Sequence, residues 1–593
     1  MTAYRAPLVE MRFVMDELAG FRELATEVPA YAEATPDLAD AILEEAARFA
    51  EDVLAPLNRV GDREGARLSA GAVTTAPGWR EAYAAFCAAG WHGIASPGEF
   101  GGQGLPGSLA VAVKEMVCSA NLSFSLAPLL TTGAVDALLL CADDALKAAY
   151  LEKMVSGEWT GTMNLTEPQA GSDLGLIRSR AEPAGDGSYR VFGQKIFITY
   201  GDHDLTANIV HLVLARLPDA PPGVKGISLF LVPKVLPDGQ PNDVRCVSLE
   251  HKLGIHGSPT CVMAYGDHGG AVGYLLGQAN RGLEYMFIMM NEARLGVGLQ
   301  GIALGERAYQ QALAYARERK QGRDALTGEA LVTIDRHPDI RRMLLLMKSR
   351  VEACRALAYV TNGLMDRAHA HPDPEQRRQN LLLAEFMIPI VKGGSTEMGI
   401  DVTSLGIQIH GGMGFIEETG AAQHWRDARI TTIYEGTTGI QANDLIFRKL
   451  MRDGGATARR IFADIGATVQ DLAGAEQPEL QGIAQRLGSA LHAWIGATEW
   501  LGAQGKSDLA GVLTAAVPYL HLAVTVAGGW QMARAAGVAA ARLAAGTGDA
   551  TFYRAKIATA RFYADQILPQ AAACATTVMA GSSGIMDRDN DLF

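Results

Sequence analysis

The residues best suited to chemistry in this chain sit in one short stretch, Thr431-Thr432-Ile433-Tyr434-Glu435-Gly436-Thr437-Thr438-Gly439. An apolar approach leads into a single carboxylate, and a Gly- and Thr-rich turn follows it. Burying a lone Glu raises its pKa, because desolvation disfavours the charged form. A carboxylate tuned in that direction serves as a general base near neutral pH. Read alone, the stretch is first of all the pattern of a solvated loop glutamate, since Glu is seldom buried. Two arginines, Arg294 and Arg319, offer planar forks suited to phosphate groups, and Thr166 and Ser172 offer short hydroxyls within Thr166-Glu167-Pro168-Gln169-Ala170-Gly171-Ser172-Asp173.

Bulk properties limit what these groups can serve. At 593 residues the chain exceeds one ordinary core and divides into several domains. Apolar residues are 48% and charged residues 20%, which marks a globular chain. A net charge of −13 argues against a nucleic-acid surface, which needs a basic footprint. The seven cysteines (Cys87, Cys118, Cys141, Cys246, Cys261, Cys354 and Cys574) form no CxxC pair. Such an odd, dispersed set reads as reduced thiols, with no zinc site and no disulfide frame. The start of the chain has no apolar export segment, so a cytoplasmic location is expected.

Several elements must position the chemical groups. Helical periodicity runs from Asp37 to about Ala89, with Ile42, Leu43, Ala46, Phe49 and Leu54 at three- and four-residue steps. The Gly-rich loop at 96–104 is not followed by Lys-Ser/Thr and reads as a surface loop. Helix resumes from Ser108 to Leu151. Short β-type runs follow at Tyr189–Phe192, Lys195–Thr199, Ile209–Leu214 and Gly226–Val232, predicting a small barrel or sandwich. From Leu283 to Lys320 the chain is free of proline and rich in helix formers. Arg294 and Arg319 lie 25 positions apart on that run, hence roughly 38 Å apart on one continuous helix, too far to hold the same end of a ligand. More helices are expected at Ile340–Ala370 and Arg377–Leu405. The span Ala510–Ala533 lacks Asp, Glu, Lys and Arg, yet Pro518, His521, Gly528, Gly529 and Gln531 favour a buried bundle helix over a membrane span. The expected fold is therefore α+β and multidomain: an N-terminal extension (1–36), an N-terminal helical domain (37–159), a middle β-barrel or sandwich domain (160–278), a C-terminal four-helix bundle (279–455) and an additional C-terminal α-helical domain (456–593).

This order of blocks, with four local motifs, resembles the acyl-CoA dehydrogenase family of flavoenzymes. The stretch from Thr166 to Asp173 is similar to the family's first flavin signature. Gly193-Gln194-Lys195-Ile196-Phe197-Ile198-Thr199 is similar to its second. Gln408-Ile409-His410-Gly411-Gly412-Met413-Gly414-Phe415 and Tyr434-Glu435-Gly436-Thr437 resemble its paired C-terminal signatures. Length, the turn from Thr437 to Ala442 and the appended domain narrow the resemblance to the branch of about 600 residues that includes 3-methylmercaptopropionyl-CoA and long-chain acyl-CoA dehydrogenases.

The resemblance implies a chemistry and assigns residues to it. FAD is the expected cofactor. Glu435 is the expected base that takes the α-proton of a saturated fatty acyl-CoA or 3-methylmercaptopropionyl-CoA, and its own backbone N–H, with a flavin hydroxyl, is the expected clamp for the enolate oxygen. Hydride from the β-carbon goes to flavin N5, giving a trans-2-enoyl-CoA. Some relatives carry the base just before the arginine matching Arg294; here that residue is Ala293, and Glu292 points about 100° away on a helix. Expected flavin contacts are Met163, Leu165, Thr166, Gly171, Ser172, Phe197 (where many relatives have Trp), Thr199, Gln408, Gly411, Gly412 and Thr437, with Arg319 reaching the flavin of a neighbouring subunit. Expected substrate contacts are Arg294, Asn291, Ser172, Tyr434 and Gly436. Asn291 stands where the family has Asp, and Gly322-Arg323 where it has Phe-Gly. The implied partners are an acyl-CoA, electron-transfer flavoprotein as electron acceptor and a second copy of the chain, as a homodimer or dimer of dimers. Two alternatives use the same motifs: an acyl-CoA oxidase reoxidised by O₂, and a DNA-binding flavoprotein relative, which the scarcity of Lys and Arg after residue 456 disfavours.

Overall fold

The computed structural model describes residues 4–505 and 507–586, the side chains of 287–291 excepted. The chain forms two compact units, one of Ile42–Gly296 and one of Met1–Ala41 with Val297–Phe593. The class is α+β: helices, a β domain, then helices to the C-terminal end.

Within Ile42–Gly296 the expected helical run from Asp37 to Ala89 is interrupted. A hairpin of β1 (Arg67–Ser69) and β2 (Ala72–Thr74) pairs Leu68 with Val73. Its two turn residues, Ala70 and Gly71, have φ of 50° and 80°, the left-handed pair that a two-residue hairpin turn requires. The expected run from Ser108 to Leu151 is three helices, Gly107–Ala120, Leu122–Cys141 and Asp144–Val155. Side-chain caps cut it: Asn121 accepts from the Phe124 N–H and Asp143 from the Leu146 N–H.

The β domain comprises β3 (Trp159–Asn164), β4 (Arg180–Pro183), β5 (Tyr189–Thr199), β6 (Asn208–Arg216), β7 (Ile227–Pro233), β8 (Val244–Leu249), β9 (Thr260–Tyr265) and β10 (Ala271–Leu276). β10 pairs with both β7 and β5, which closes the path β10-β7-β6-β4-β5 on itself. The two runs read separately at Tyr189–Phe192 and Lys195–Thr199 are one strand, β5, whose pairing with β9 slips between Lys195 and Ile198. Both faces of β6 are buried. Leu212 and Leu214 meet Leu138, Leu151 and Met154 of the helices, while Val213 and Ala215 face Val191, Phe230 and Met263 inside the sheet. Burial on two sides explains why Ile209–Leu214 reads as a continuous apolar run rather than an alternating one.

The second unit is helical. Its main elements are the last part of the long helix Gly282–Glu318, then Pro338–Ala370 and Pro374–His410. The last two start with proline, before their expected first residues; the first ends at Ala370 as expected and the second runs past Leu405, and Asp373 caps the second through the Glu375 N–H at 2.8 Å. Glycines allow close approach: a Cβ on Gly301 would stand 2.2 Å from the Ser395 carbonyl oxygen. Toward the C-terminus come Ala456–Ala473, Pro478–Gln504, Leu509–Ala544, Ala550–Gln566 and Gln570–Met579. Leu509–Ala544 lies tightly on Pro374–His410, because a Cβ on Gly393 or Gly394 would meet Leu520 at 2.5 Å or Val524 at 2.2 Å. Two helices are long and apolar enough to cross a membrane by length and composition, Leu122–Cys141 and Leu509–Ala544, with 61% and 50% of the apolar window buried inside the protein.

Candidate active site

The predicted site residues fall into two sets, one in each unit. In the helical unit, Arg429–Thr432 forms a short 3₁₀ turn, and five residues separate it from the helix Thr438–Asn443. Between them Glu435 has φ 54° and Gly436 φ 89°. The left-handed region costs a residue with a Cβ about 1–2 kcal/mol, so Glu435 holds it only where its surroundings enforce it. They do. The ammonium of Lys392, on Pro374–His410, donates to the Thr431 carbonyl at 2.9 Å and the Gly436 carbonyl at 2.6 Å. Gln441 Nε2 donates to the Glu435 carbonyl at 3.2 Å and the Gly436 carbonyl at 3.4 Å. Thr437 caps the following helix, accepting from the Ile440 N–H. Thr438 donates to Glu397 at 2.6 Å, and the Tyr434 hydroxyl bonds Gln300. Lys392, Gln441 and Gln300 are fully buried, and Glu435 is half-buried.

The same unit gathers Arg319, Gln408, Gly411 and Gly412 at one end of two helices. Tyr315, one turn before Arg319, stacks on His410 at 4.4 Å between ring centroids. His410 is buried and donates through Nδ1 to the Gly406 carbonyl at 2.7 Å, and burial lowers its pKa. Gly411, with φ 60°, ends Pro374–His410. Arg319, Gln408, Gly411 and Gly412 are all exposed. Arg323 closes its own turn, donating to the Gly328 carbonyl at 2.5 Å.

In the other unit, the end of β3 and the irregularity in β5 meet. The Ile196 N–H donates to the Thr166 carbonyl at 2.9 Å, and Lys195 Nζ donates to the Leu165 carbonyl at 3.0 Å and to Glu167 at 2.9 Å. Glu167 also accepts from the N–H groups of Arg178 and Ser179 and from Gln169. Burial by itself would raise the Glu167 pKa; the Lys195 charge and these donors outweigh it and bring it to about 2. For Lys195 burial dominates and lowers the pKa to about 8. The slip in β5 puts Phe197 at φ 61° and leaves the residue 59% exposed, an unusual state for a strand aromatic. Met163 is buried, Leu165, Thr166 and Thr199 are half-buried, and Gly171 and Ser172 lie on an exposed turn after the Glu167–Ala170 bridge. Two backbone-directed bonds thus join the Leu165–Thr166 segment, which follows Met163, to the irregular part of β5 that precedes Phe197 and Thr199.

Arg294 is buried on Gly282–Glu318. Ala293 beside it is buried, and Glu292 pairs with Lys114 at 3.4 Å as a partly exposed ion pair. Asn291 lies outside the described side chains. Sequence reasoning missed Lys392 and Gln441 and gave Glu167 and Lys195 no separate part. The available signal was a lone lysine after Ile388-Pro389-Ile390-Val391, where a buried charge requires bonded oxygens.

The arrangement offers a half-buried carboxylate on an enforced turn in one unit, and an exposed aromatic on an irregular strand in the other. Family models match nearly the whole chain: "Acyl-CoA dehydrogenase, N-terminal domain" over 36–158, its middle domain over 162–267, its C-terminal domain over 280–450, and "Acetyl-CoA dehydrogenase C-terminal like" over 461–589. The 3-methylmercaptopropionyl-CoA dehydrogenase of Ruegeria pomeroyi is 51% identical over 577 residues, 96% of this chain and 97% of that one. A butyryl-CoA dehydrogenase of Syntrophomonas wolfei is 36% identical over 579 residues, 93% of each chain. Among solved structures, the acyl-CoA dehydrogenase of Bacillus anthracis complexed with FAD superposes with a TM-score of 0.75 at 19% identity, covering 97% of this chain and 92% of that one.

Proposed function

This chain belongs to the acyl-CoA dehydrogenase family, and from that premise we propose that it oxidises an acyl-CoA thioester to the trans-2-enoyl-CoA with Glu435 as its base. It is an oxidoreductase whose cofactor is FAD. The described residues fit that cofactor: where the Ile196 N–H holds the Thr166 carbonyl, the next residue, Phe197, is exposed, and Thr166 and Thr199 are half-buried, so an aromatic and short hydroxyls suited to a flat heteroaromatic occur at one irregular edge of the β domain. Bound FAD supplies the acceptor for the β-hydride. The chain supplies the base, the orientation and the shelter.

A thioester α-proton is a very weak acid, so its removal needs a positioned carboxylate and donors for the developing enolate oxygen. The observation that carries this reading is Glu435 itself, a carboxylate-bearing residue held in a left-handed turn by buried donors. Ala293, in the alternative position, has no proton to exchange. Tyr434, Gly436, Ser172, Arg294 and Asn291 are the proposed substrate contacts. Arg319, Gln408, Gly411 and Gly412, exposed at one helix end, are proposed to meet the flavin of a second copy, which makes the active unit at least a dimer. Electron-transfer flavoprotein is the proposed acceptor.

The 51% identical relative supports 3-methylmercaptopropionyl-CoA or a saturated fatty acyl-CoA as substrate. Anaerobic mixing of the holoenzyme with saturated acyl-CoAs from C4 to C18, and with 3-methylmercaptopropionyl-CoA, tests this directly. At least one thioester is expected to bleach the flavin and yield the enoyl-CoA; no bleaching across the panel overturns the reading. Air then separates dehydrogenase from oxidase: the dehydrogenase reoxidises slowly, whereas rapid reoxidation with substrate-dependent peroxide identifies an oxidase.

A further inference from the structure

We infer that Lys392 is the positioning residue of the proposed base: its buried ammonium, bonded to carbonyls on both sides of Glu435, fixes the turn from which the carboxylate acts. The inference rests on the assignment of Glu435 as base and goes beyond it, since Lys392 belongs to none of the four motifs.

Three observations support it. Thr431 and Gly436 are five positions apart, and one ammonium holds both carbonyls, at 2.9 and 2.6 Å. The chain between them is therefore clamped at both ends by a single charged atom. Charge-assisted bonds of this kind are about twice as strong as neutral ones, and more so away from water. Second, the left-handed φ values fall inside the clamped segment, at Glu435, where the Cβ makes it strained, and at its edge, at Gly436. A left-handed glutamate relaxes toward ordinary backbone once its neighbours let go. Third, the lysine is itself immobilised. Ile388, Ile390 and Val391 are buried before it, and Gly393 and Gly394 after it admit Leu520 and Val524 of Leu509–Ala544. The clamp is thus backed by a helix of the appended C-terminal region, which gives that region a part in the chemistry.

Gln441 is a neutral second hold on the Glu435 and Gly436 carbonyls, so removing Lys392 loosens the turn without deleting it. A displacement of about 1 Å at a reacting group costs on the order of 100-fold in rate. The test compares wild-type holoenzyme with Lys392→Ala by anaerobic flavin bleaching, FAD content, affinity for a non-oxidisable 3-thiaacyl-CoA, and amide hydrogen exchange over residues 431–441. The expected result is a bleaching rate lower by about 100-fold, FAD content and analogue affinity within about threefold, and faster exchange in the loop. Propylammonium, which replaces the deleted atoms, is expected to restore bleaching saturably, whereas tetramethylammonium, with no N–H, is not.

Bleaching within about threefold of wild type, unchanged loop exchange, or a rate loss that propylammonium does not relieve overturns the inference. Should Lys392→Ala not fold as a holoenzyme, Lys392→Gln, a neutral donor, is measured the same way: a slowed rate with intact FAD supports positioning, and an unaltered rate overturns it. Failure of both variants to fold overturns it in favour of a purely architectural lysine. The exchange readout stands apart from activity, so a wild type that bleaches with no acyl-CoA removes the proposed function while exchange still decides the role of Lys392.

Discussion

At the scale of single residues, the two units use one device. Each holds a residue of unfavourable backbone geometry, Glu435 or Phe197, beside a buried lysine whose ammonium bonds main-chain carbonyls. An unpaired buried charge is too costly to keep, so each lysine must find oxygens, and the nearest are those of the loop it then fixes. Lys195 adds a carboxylate, Glu167, which also collects two backbone N–H groups. Lys195→Met is expected to leave Glu167 buried against a methyl group and to lower the stability of the β unit by about 3–5 kcal/mol, read as a shift in its urea midpoint; a midpoint unchanged within error would remove Lys195 from this part. Arg319, by contrast, is exposed, and its guanidinium bonds Gln321, at 3.5 Å. Arg319→Ala should therefore leave monomer stability within about 0.5 kcal/mol. If it reaches a partner's flavin, its loss weakens FAD retention at least tenfold with acyl-chain preference unchanged, and unaltered flavin content withdraws the cross-subunit role.

At the scale of elements, the β domain owes the exposed Phe197 of its candidate site to an irregularity, the slip in β5. Around it the interior is polar in places and sealed. His211 bonds Thr162 at 2.8 Å and His203 bonds Thr160 at 2.9 Å. Burial, with the Lys234 charge nearby, lowers both pKa values to about 3. An unfolded histidine titrates near 6.5, so the stability each confers is complete above that value and is lost as pH falls toward 3. Between pH 7 and pH 5 each is expected to withdraw about 2 kcal/mol from this unit. Calorimetric unfolding at the two pH values measures it, and a midpoint that holds or rises at pH 5 would contradict the buried, neutral state. Much of this element pattern was legible beforehand. Apolar spacing marked the long helices and the Ile209–Leu214 strand, because those faces pack on one another. The Arg67–Thr74 hairpin was not, because its three-residue strands are too short for any period to register. The unity of β5 was hidden by its own bulge. The motifs located Glu435, Thr166 and Phe197, but the buried donors that hold them come from positions up to 44 residues away, as Lys392 and Gly436 do, and only the fold makes them neighbours.

At the scale of the whole molecule, the C-terminal helices are part of the helical unit's core. Lys556, on Ala550–Gln566, is buried between Glu10 near the N-terminus, at 2.5 Å, and Glu352 on Pro338–Ala370, at 2.8 Å. Burial alone would raise the Glu352 pKa; Lys556 and Lys348 outweigh it and bring it to about 2. Lys556→Met is expected to destabilise the helical unit by about 3–5 kcal/mol, since buried Glu10 loses its bonded cation and Glu352 is left with Lys348. Urea titration followed by circular dichroism checks it, and an unmoved midpoint would show that the C-terminal helices are not bound in this way. Gly394, against which Val524 rests, ties the same helices to the segment bearing Lys392. The account as a whole depends on one carboxylate, and the most direct measurement is the rate of anaerobic flavin bleaching in Glu435→Gln beside wild type, at saturating acyl-CoA. The prediction is a yellow holoenzyme that binds the thioester as wild type does and bleaches slower by several orders of magnitude, at least about 10³-fold. Bleaching at the wild-type rate in that variant would contradict it.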